Sequence, residues 1–145
     1  MQKIVPFLWY NGKAQEAATF YTSIFKDSKI ISSNPQSAIF ELQGREFYAF
    51  NGGPMFEFTP AISMFVNCDT QEEIDYYWDK LSEDGTLSRC GWLQDKFGLS
   101  WQVVPAMLPS VLGGPDPAGS KRAMQAMLSM VKLEIAALQA AYDGK

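Results

Sequence analysis

Residues 14–21 read AQEAATFY and residues 70–77 read TQEEIDYY, so Gln15 and Gln71, like Tyr21 and Tyr77, are separated by the same 56 residues. Each copy follows an apolar, strand-like run, residues 5–10 in the first and 62–66 in the second. Each also precedes further strand-like segments, and GREFYAF at 44–50 corresponds to GLSWQVV at 98–104. A repeated strand–helix–strands unit constrains the architecture before any side-chain chemistry is considered. The expectation is an α+β fold of two βαβββ modules, residues 3–53 and 60–105, followed by a C-terminal helical segment at 106–143. At 145 residues the chain has the length of a single domain with its own core. Two mixed, curved half-sheets of this kind are expected to enclose a cleft, the natural place for a site.

Local signals support the same reading. The pair Asn11–Gly12 ends the first apolar run, and the apolar residues Ala14, Ala17, Ala18, Tyr21, Ile24 and Phe25 then fall at helical spacing. Gln43–Gly44 predicts a tight turn between strands. Asp69 or Thr70 is placed to cap the second helix, with Glu72 and Glu73 in its first turn, where carboxylates favour the helix dipole. A strand is expected over residues 87–93 and another over 99–104. Asp116–Pro117 supplies an N-cap and a proline at the first helical position, predicting one long helix that continues to about Tyr142. Along it Met124, Leu128, Val131, Ile135, Leu138 and Tyr142 are spaced alternately by 4 and 3 residues. That seam is a packing surface, directed either at its own domain or at a second subunit, and it motivates the expectation of a homodimer.

Composition excludes several function classes. With 12 Lys and Arg scattered through the chain and a net charge of −4, no clustered basic face is available for nucleic acid. No apolar run is long enough to cross a bilayer. Met1–Gln2–Lys3 leads directly towards a strand without a signal-peptide layout, so a cytoplasmic location is expected. The chain has no histidine, which removes Ser-His and Cys-His nucleophile systems and the commonest nitrogen ligand for transition metals. Cys68 and Cys90 alone are too few for a tetrahedral zinc site and are expected as free thiols.

The segments FLWYNGKAQEAATFY at 7–21, GREFYAFNGGP at 44–54 and CGWLQDKFGLSWQVVP at 90–105 resemble the PhnB-like branch of the vicinal oxygen chelate (glyoxalase/bleomycin resistance/dioxygenase) superfamily. Members of this branch carry the label 3-demethylubiquinone-9 3-methyltransferase-like. In metal-using members of the superfamily, His, Gln or Glu on the first and fourth strands of each module hold a mononuclear ion. By that resemblance the corresponding positions are Val5 or Pro6, Ala61 or Ile62, Tyr48, and Gln102. None is a histidine or carboxylate, so neither a metal nor another cofactor is expected. The methyltransferase label implies a glycine-rich turn between a strand and a helix for the methyl donor. Gly52–Gly53–Pro54 and Gly113–Gly114–Pro115 end in proline and are not expected to open such a unit.

Strand alternation then sorts the remaining candidates. Ile62, Met64 and Val66 are expected to face the module's helix, leaving Ser63 and Phe65 on the other face, with Phe7 and Trp9 at the equivalent first-module positions. Tyr48, Phe50, Trp92 and Gln102 complete a largely aromatic candidate pocket with a few polar tips, suited to a small apolar or aromatic molecule. Trp101 is expected in the core. Arg45, Glu46, Asp95 and Lys96 are expected as solvated charges, and Cys90 is the one plausible nucleophile. Three functions stay open at this point. They are a metal-free small-molecule-binding protein, an enzyme of unknown reaction using the same cleft (lyase, oxidoreductase or methyltransferase), and a structural dimer with an unused cleft.

Overall fold

The computed structural model describes residues 1–145 and divides into two compact units, Met1–Phe58 and Thr59–Lys145. Unit one contains β1 (Phe7–Tyr10), α1 (Ala14–Ile24), β2 (Ser28–Asn34), β3 (Ser37–Leu42) and β4 (Arg45–Asn51). Unit two contains β5 (Ser63–Cys68), α2 (Gln71–Leu81), β6 (Thr86–Leu87), β7 (Trp92–Gln94) and β8 (Ser100–Pro105), then α3 (Leu108–Leu112), α4 (Pro117–Leu128) and α5 (Ile135–Asp143). The sheet orders are β1-β4-β3-β2 and β5-β8-β7-β6, each with one parallel pair, β1 with β4 and β5 with β8, and two antiparallel ones. The two βαβββ modules therefore share one topology.

In each unit the repeated motif forms the helix that covers one face of the sheet. Ala14, Ala17, Ala18, Tyr21 and Ile24 of α1 are buried, as are Leu8, Tyr10, Ala38, Phe40 and Ala49 of the strands. Ile74, Tyr77, Trp78 and Leu81 are the buried face of α2, beside buried Leu93, Trp101 and Val103. The capping chemistry differs. Thr70 Oγ1 accepts from the Glu73 N–H at 3.1 Å, while the Glu73 carboxylate accepts from the Asp69 N–H at 2.9 Å. Helix α1 has no such residue at its own N-cap, and the Asn51 side-chain carbonyl, from the end of β4, accepts the Ala14 N–H at 2.8 Å instead. The Gln43–Gly44 turn has φ of 51° and 81°, the paired left-handed conformation that suits a two-residue hairpin.

The C-terminal segment departs from the expected single helix. Residues 129–134 break it between α4 and α5, although no glycine or proline stands there. Tertiary bonds override the local helical preference. Met130 and Val131 carbonyls accept from the Cys90 and Gly91 N–H groups at 2.9 and 2.8 Å. Gln71 then uses both ends of its amide, donating to Leu133 O at 3.1 Å and accepting from Ile135 N at 2.8 Å. Lys132 pairs with Asp75 at 2.8 Å, and Leu133 and Leu138 are fully buried with Val104. The strand expected over residues 87–93 is likewise interrupted, with β6 and β7 separated by residues 88–91 and the C-terminal segment bonded to that gap. Met124, Leu128 and Val131 of the expected seam are exposed, so the seam does not act as one inward stripe.

Candidate functional site

The alternation that buries Leu8, Tyr10 and Ala49 under α1 turns Phe7, Trp9, Tyr48 and Phe50 to the opposite face of the first sheet. Phe7 pairs in register with Tyr48 and Trp9 with Phe50. Their rings touch, Phe7 to Tyr48 at 6.5 Å, Phe7 to Phe50 at 5.6 Å and Trp9 to Phe50 at 5.4 Å between centroids. Phe56, which sequence reasoning missed because it lies outside any strand, packs edge-on against Trp9 at 4.8 Å. The Trp9 indole N–H donates to Gly53 O at 3.0 Å, and a Cβ on Gly52 would lie 2.2 Å from its ring. Trp9 is held on several sides by its own unit, whereas Phe7 is 58% exposed.

On the second sheet Ser63, Phe65, Trp92 and Gln102 share the face opposite α2. Phe65 pairs with Gln102 across the parallel β5–β8 ladder and Trp92 pairs with Gln102 across the antiparallel β7–β8 ladder, so an amide lies between two aromatic residues in one row. Gln102 Nε2 donates to Ser63 Oγ at 3.0 Å. That bond fixes the amide and leaves its carbonyl oxygen and second N–H to meet another group. Phe65 is 53% exposed, while Trp92 and Gln102 are half-buried.

Asp95 corrects a sequence expectation. It is buried, not a solvated turn charge, and its carboxylate accepts from the Phe97 and Leu99 N–H groups at 2.9 and 3.1 Å and from the Trp101 indole N–H at 2.9 Å. A buried indole needs a partner for its N–H, and the turn from Asp95 to Gly98 brings that partner beneath the sheet. Trp101 is in the core, as expected. Cys68 is buried, and burial first, then the nearby Glu73 and Asp69 charges, pushes its thiol up to about 11, so it carries no thiolate at neutral pH. Cys90 is half-buried, its Sγ 3.4 Å from Met127 O in the contact that holds the C-terminal segment.

The sequence model of the 3-demethylubiquinone-9 3-methyltransferase family matches residues 2–104. The chain belongs to that family. A PhnB protein of Bacillus cereus is 40% identical, with a TM-score of 0.67, over 72% of this chain and 100% of its own. A glyoxalase-related enzyme of Fulvimarina pelagi is 13% identical over 74% and 91% of the two chains, with a TM-score of 0.52. The fosfomycin resistance protein FosX of Listeria monocytogenes, solved with Mn(II) and sulfate, is 15% identical over 78% and 98%, with a TM-score of 0.58. These two likenesses concern the fold. No curated protein matches the chain in sequence. The PhnB-like branch of the vicinal oxygen chelate superfamily named from the sequence is thus the right one, and residues 105–145 lie outside the family match.

In this PhnB-like chain the residues present do not fit the metal ion of the superfamily. Val5, Pro6, Ala61 and Ile62 precede β1 and β5, and the residues beside Tyr48 and Gln102 on those strands are Phe7 and Phe65. Phe7 and Phe65, like the positions inferred from the resemblance on the strands' leading residues, carry no metal-binding group. No three His, Cys, Asp or Glu residues gather where they could hold a metal. Gly52–Pro54 leads out of β4 into a turn, and Gly113–Pro115 joins two helices, so neither lies between a strand and a helix. No helix is long and apolar enough to cross a membrane.

Proposed function

We propose that this PhnB-like protein is a metal-free, cytoplasmic small-molecule-binding protein. Its ligand-binding residues are Phe7, Trp9, Tyr48 and Phe50 on the first sheet and Ser63, Phe65, Trp92 and Gln102 on the second. The observation that carries the reading is the row Phe65–Gln102–Trp92, with Gln102 steadied by Ser63. Two flat apolar side chains flank one oriented, uncharged amide, which suits a small molecule held by stacking and one or two hydrogen bonds. Replacing Gln102 by Leu keeps the side-chain volume close and is expected to leave the fold intact while weakening ligand binding by about 1–3 kcal/mol. Calorimetric titration beside a thermal melt checks this. A lowered melting temperature with unchanged affinity would make Gln102 structural and defeat the reading.

A second reading, an enzyme working on the same face, rests on the family description as a methyltransferase. Positioning and hydrogen bonding catalyse without histidine or metal. Transfer of a methyl group from an added sulfonium methyl donor to a phenolic acceptor by the purified chain, with release of the thioether and the phenolic proton and lost in the Gln102→Leu variant, would favour it.

The chain is further proposed to form a homodimer. With the seam broken, support comes from Met124 and Leu128 on α4 and Val131 just beyond it, all exposed large apolar side chains. Sedimentation is expected to give twice the 16.2 kDa chain mass at micromolar concentration, and a monomer there would reject the proposal.

A further inference from the structure

The two tryptophans placed opposite the helices are not equivalent. Trp9 is enclosed by Phe50, Phe56 and the glycines at 52 and 53, whereas Trp92 has no ring packed on it. Beside Trp92 lies a groove of about 210 Å³, walled by Pro60, Leu87 and Ser88 and bordered by Gln94 and Ser100. Gln94 pairs in register with Ser100, two residues along β8 from Gln102, so groove and row share one face. Ser100 is 1% exposed, yet no hydrogen bond within the chain engages its hydroxyl, nor one the Gln94 amide. Ser120 Oγ is the one fully enclosed side-chain polar atom without a partner, so the Ser100 hydroxyl is not sealed off but opens to the groove, where an occupant can meet it.

No charged side chain lines the groove. A charged ligand would lose hydration there without an ionic partner, so the occupant is neutral. The volume is below the roughly 300–1,000 Å³ typical of drug-sized ligands, which limits the occupant to about one ring with a small substituent. We infer that this groove binds a small, planar, uncharged aromatic molecule, stacked on Trp92, with adjacent hydrogen-bond donor and acceptor groups met by Gln94 and Ser100. The inference rests on the proposed small-molecule function and gives it a place and a ligand class.

Residue-resolved amide and side-chain NMR of the full chain, titrated separately with benzamide, benzoate and benzylamine, tests it. Benzamide is expected to shift the Ser88 amide, the Trp92 indole N–H and the Gln94 side-chain amide, with both charged analogues at least about tenfold weaker. Ser100→Ala and Gln94→Leu are each expected to weaken benzamide binding roughly threefold to tenfold. The same spectra report whether each variant is folded, and Gln94, being half-buried, serves if the Ser100 variant is not. Equal binding of the charged analogues would overturn the inference. Shifts at Phe65 and Gln102 with none in the groove would overturn the groove alone, leaving the wider reading in place. Shifts at neither would overturn both.

Discussion

Asp95 is where residue-scale physics departs most from what the sequence suggests. A carboxylate in a turn beside Lys96 and Gly98 reads as solvated. Its burial follows from the Trp101 indole N–H, six residues on across the β7–β8 turn, which needs an acceptor on the α2 side of the sheet. Asp95→Ala would strand that donor and the Phe97 and Leu99 N–H groups together. The expected loss is about 3 kcal/mol of stability, read as a lower denaturation midpoint at unchanged slope. A loss below about 1 kcal/mol would mean water replaces the carboxylate easily. Candidate residues on strands were more legible. Two-residue alternation placed Phe7, Trp9, Ser63, Phe65 and Gln102 opposite the helices, because Leu8, Trp101 and Val103 beside them are apolar and buried and Met64 and Val66 are half-buried, although Ile62, also expected towards the helix, is 67% exposed. The same alternation would have found Ser100, two before Gln102, had the β7 register been known.

At the scale of elements, the modules were readable because each helix repeats one apolar spacing and each hairpin carries its own turn chemistry. The C-terminal segment was not. Its helical pattern runs unbroken through residues 129–134, and only Cys90, Gly91 and Gln71, distant in the chain, break it. Gln15 in α1 makes the comparable bond in unit one, donating to Asn34 O at the β2–β3 turn. In unit two that hairpin is short, and the C-terminal segment supplies the acceptor for Gln71. The Lys132 hydrogen bond first, and then that from Gln71, hold the Asp75 carboxyl below its usual range. The folded chain therefore favours the charged form more than the unfolded chain does. This contribution is complete above the ordinary carboxylate range and fades as pH falls through the lowered folded value. Lys132, raised chiefly by Asp75, loses its share only as pH climbs above the usual lysine range. Amide-exchange protection at Leu133 and Ile135, measured against the intrinsic rate at each pH, is thus expected to fall below about pH 4 in the parent chain. An Asp75→Asn variant should exchange quickly at neutral pH as well, and protection that ignores both changes would show that the ion pair does not secure the segment.

For the whole molecule, we propose that a fold shared with a Mn(II)-bound resistance protein here serves small-molecule binding without a metal. The claim rests on residue types at defined register positions: Phe7 beside Tyr48, Phe65 beside Gln102, and no histidine in the chain. One neutral amide is too weak a donor set for a divalent ion, which takes several charged or imidazole ligands. Native mass spectrometry of freshly purified protein addresses this directly. The account predicts a mass equal to that of two polypeptides with no metal, any retained adduct being organic and uncharged. One zinc, nickel, iron or manganese ion per chain, surviving dialysis, would contradict it.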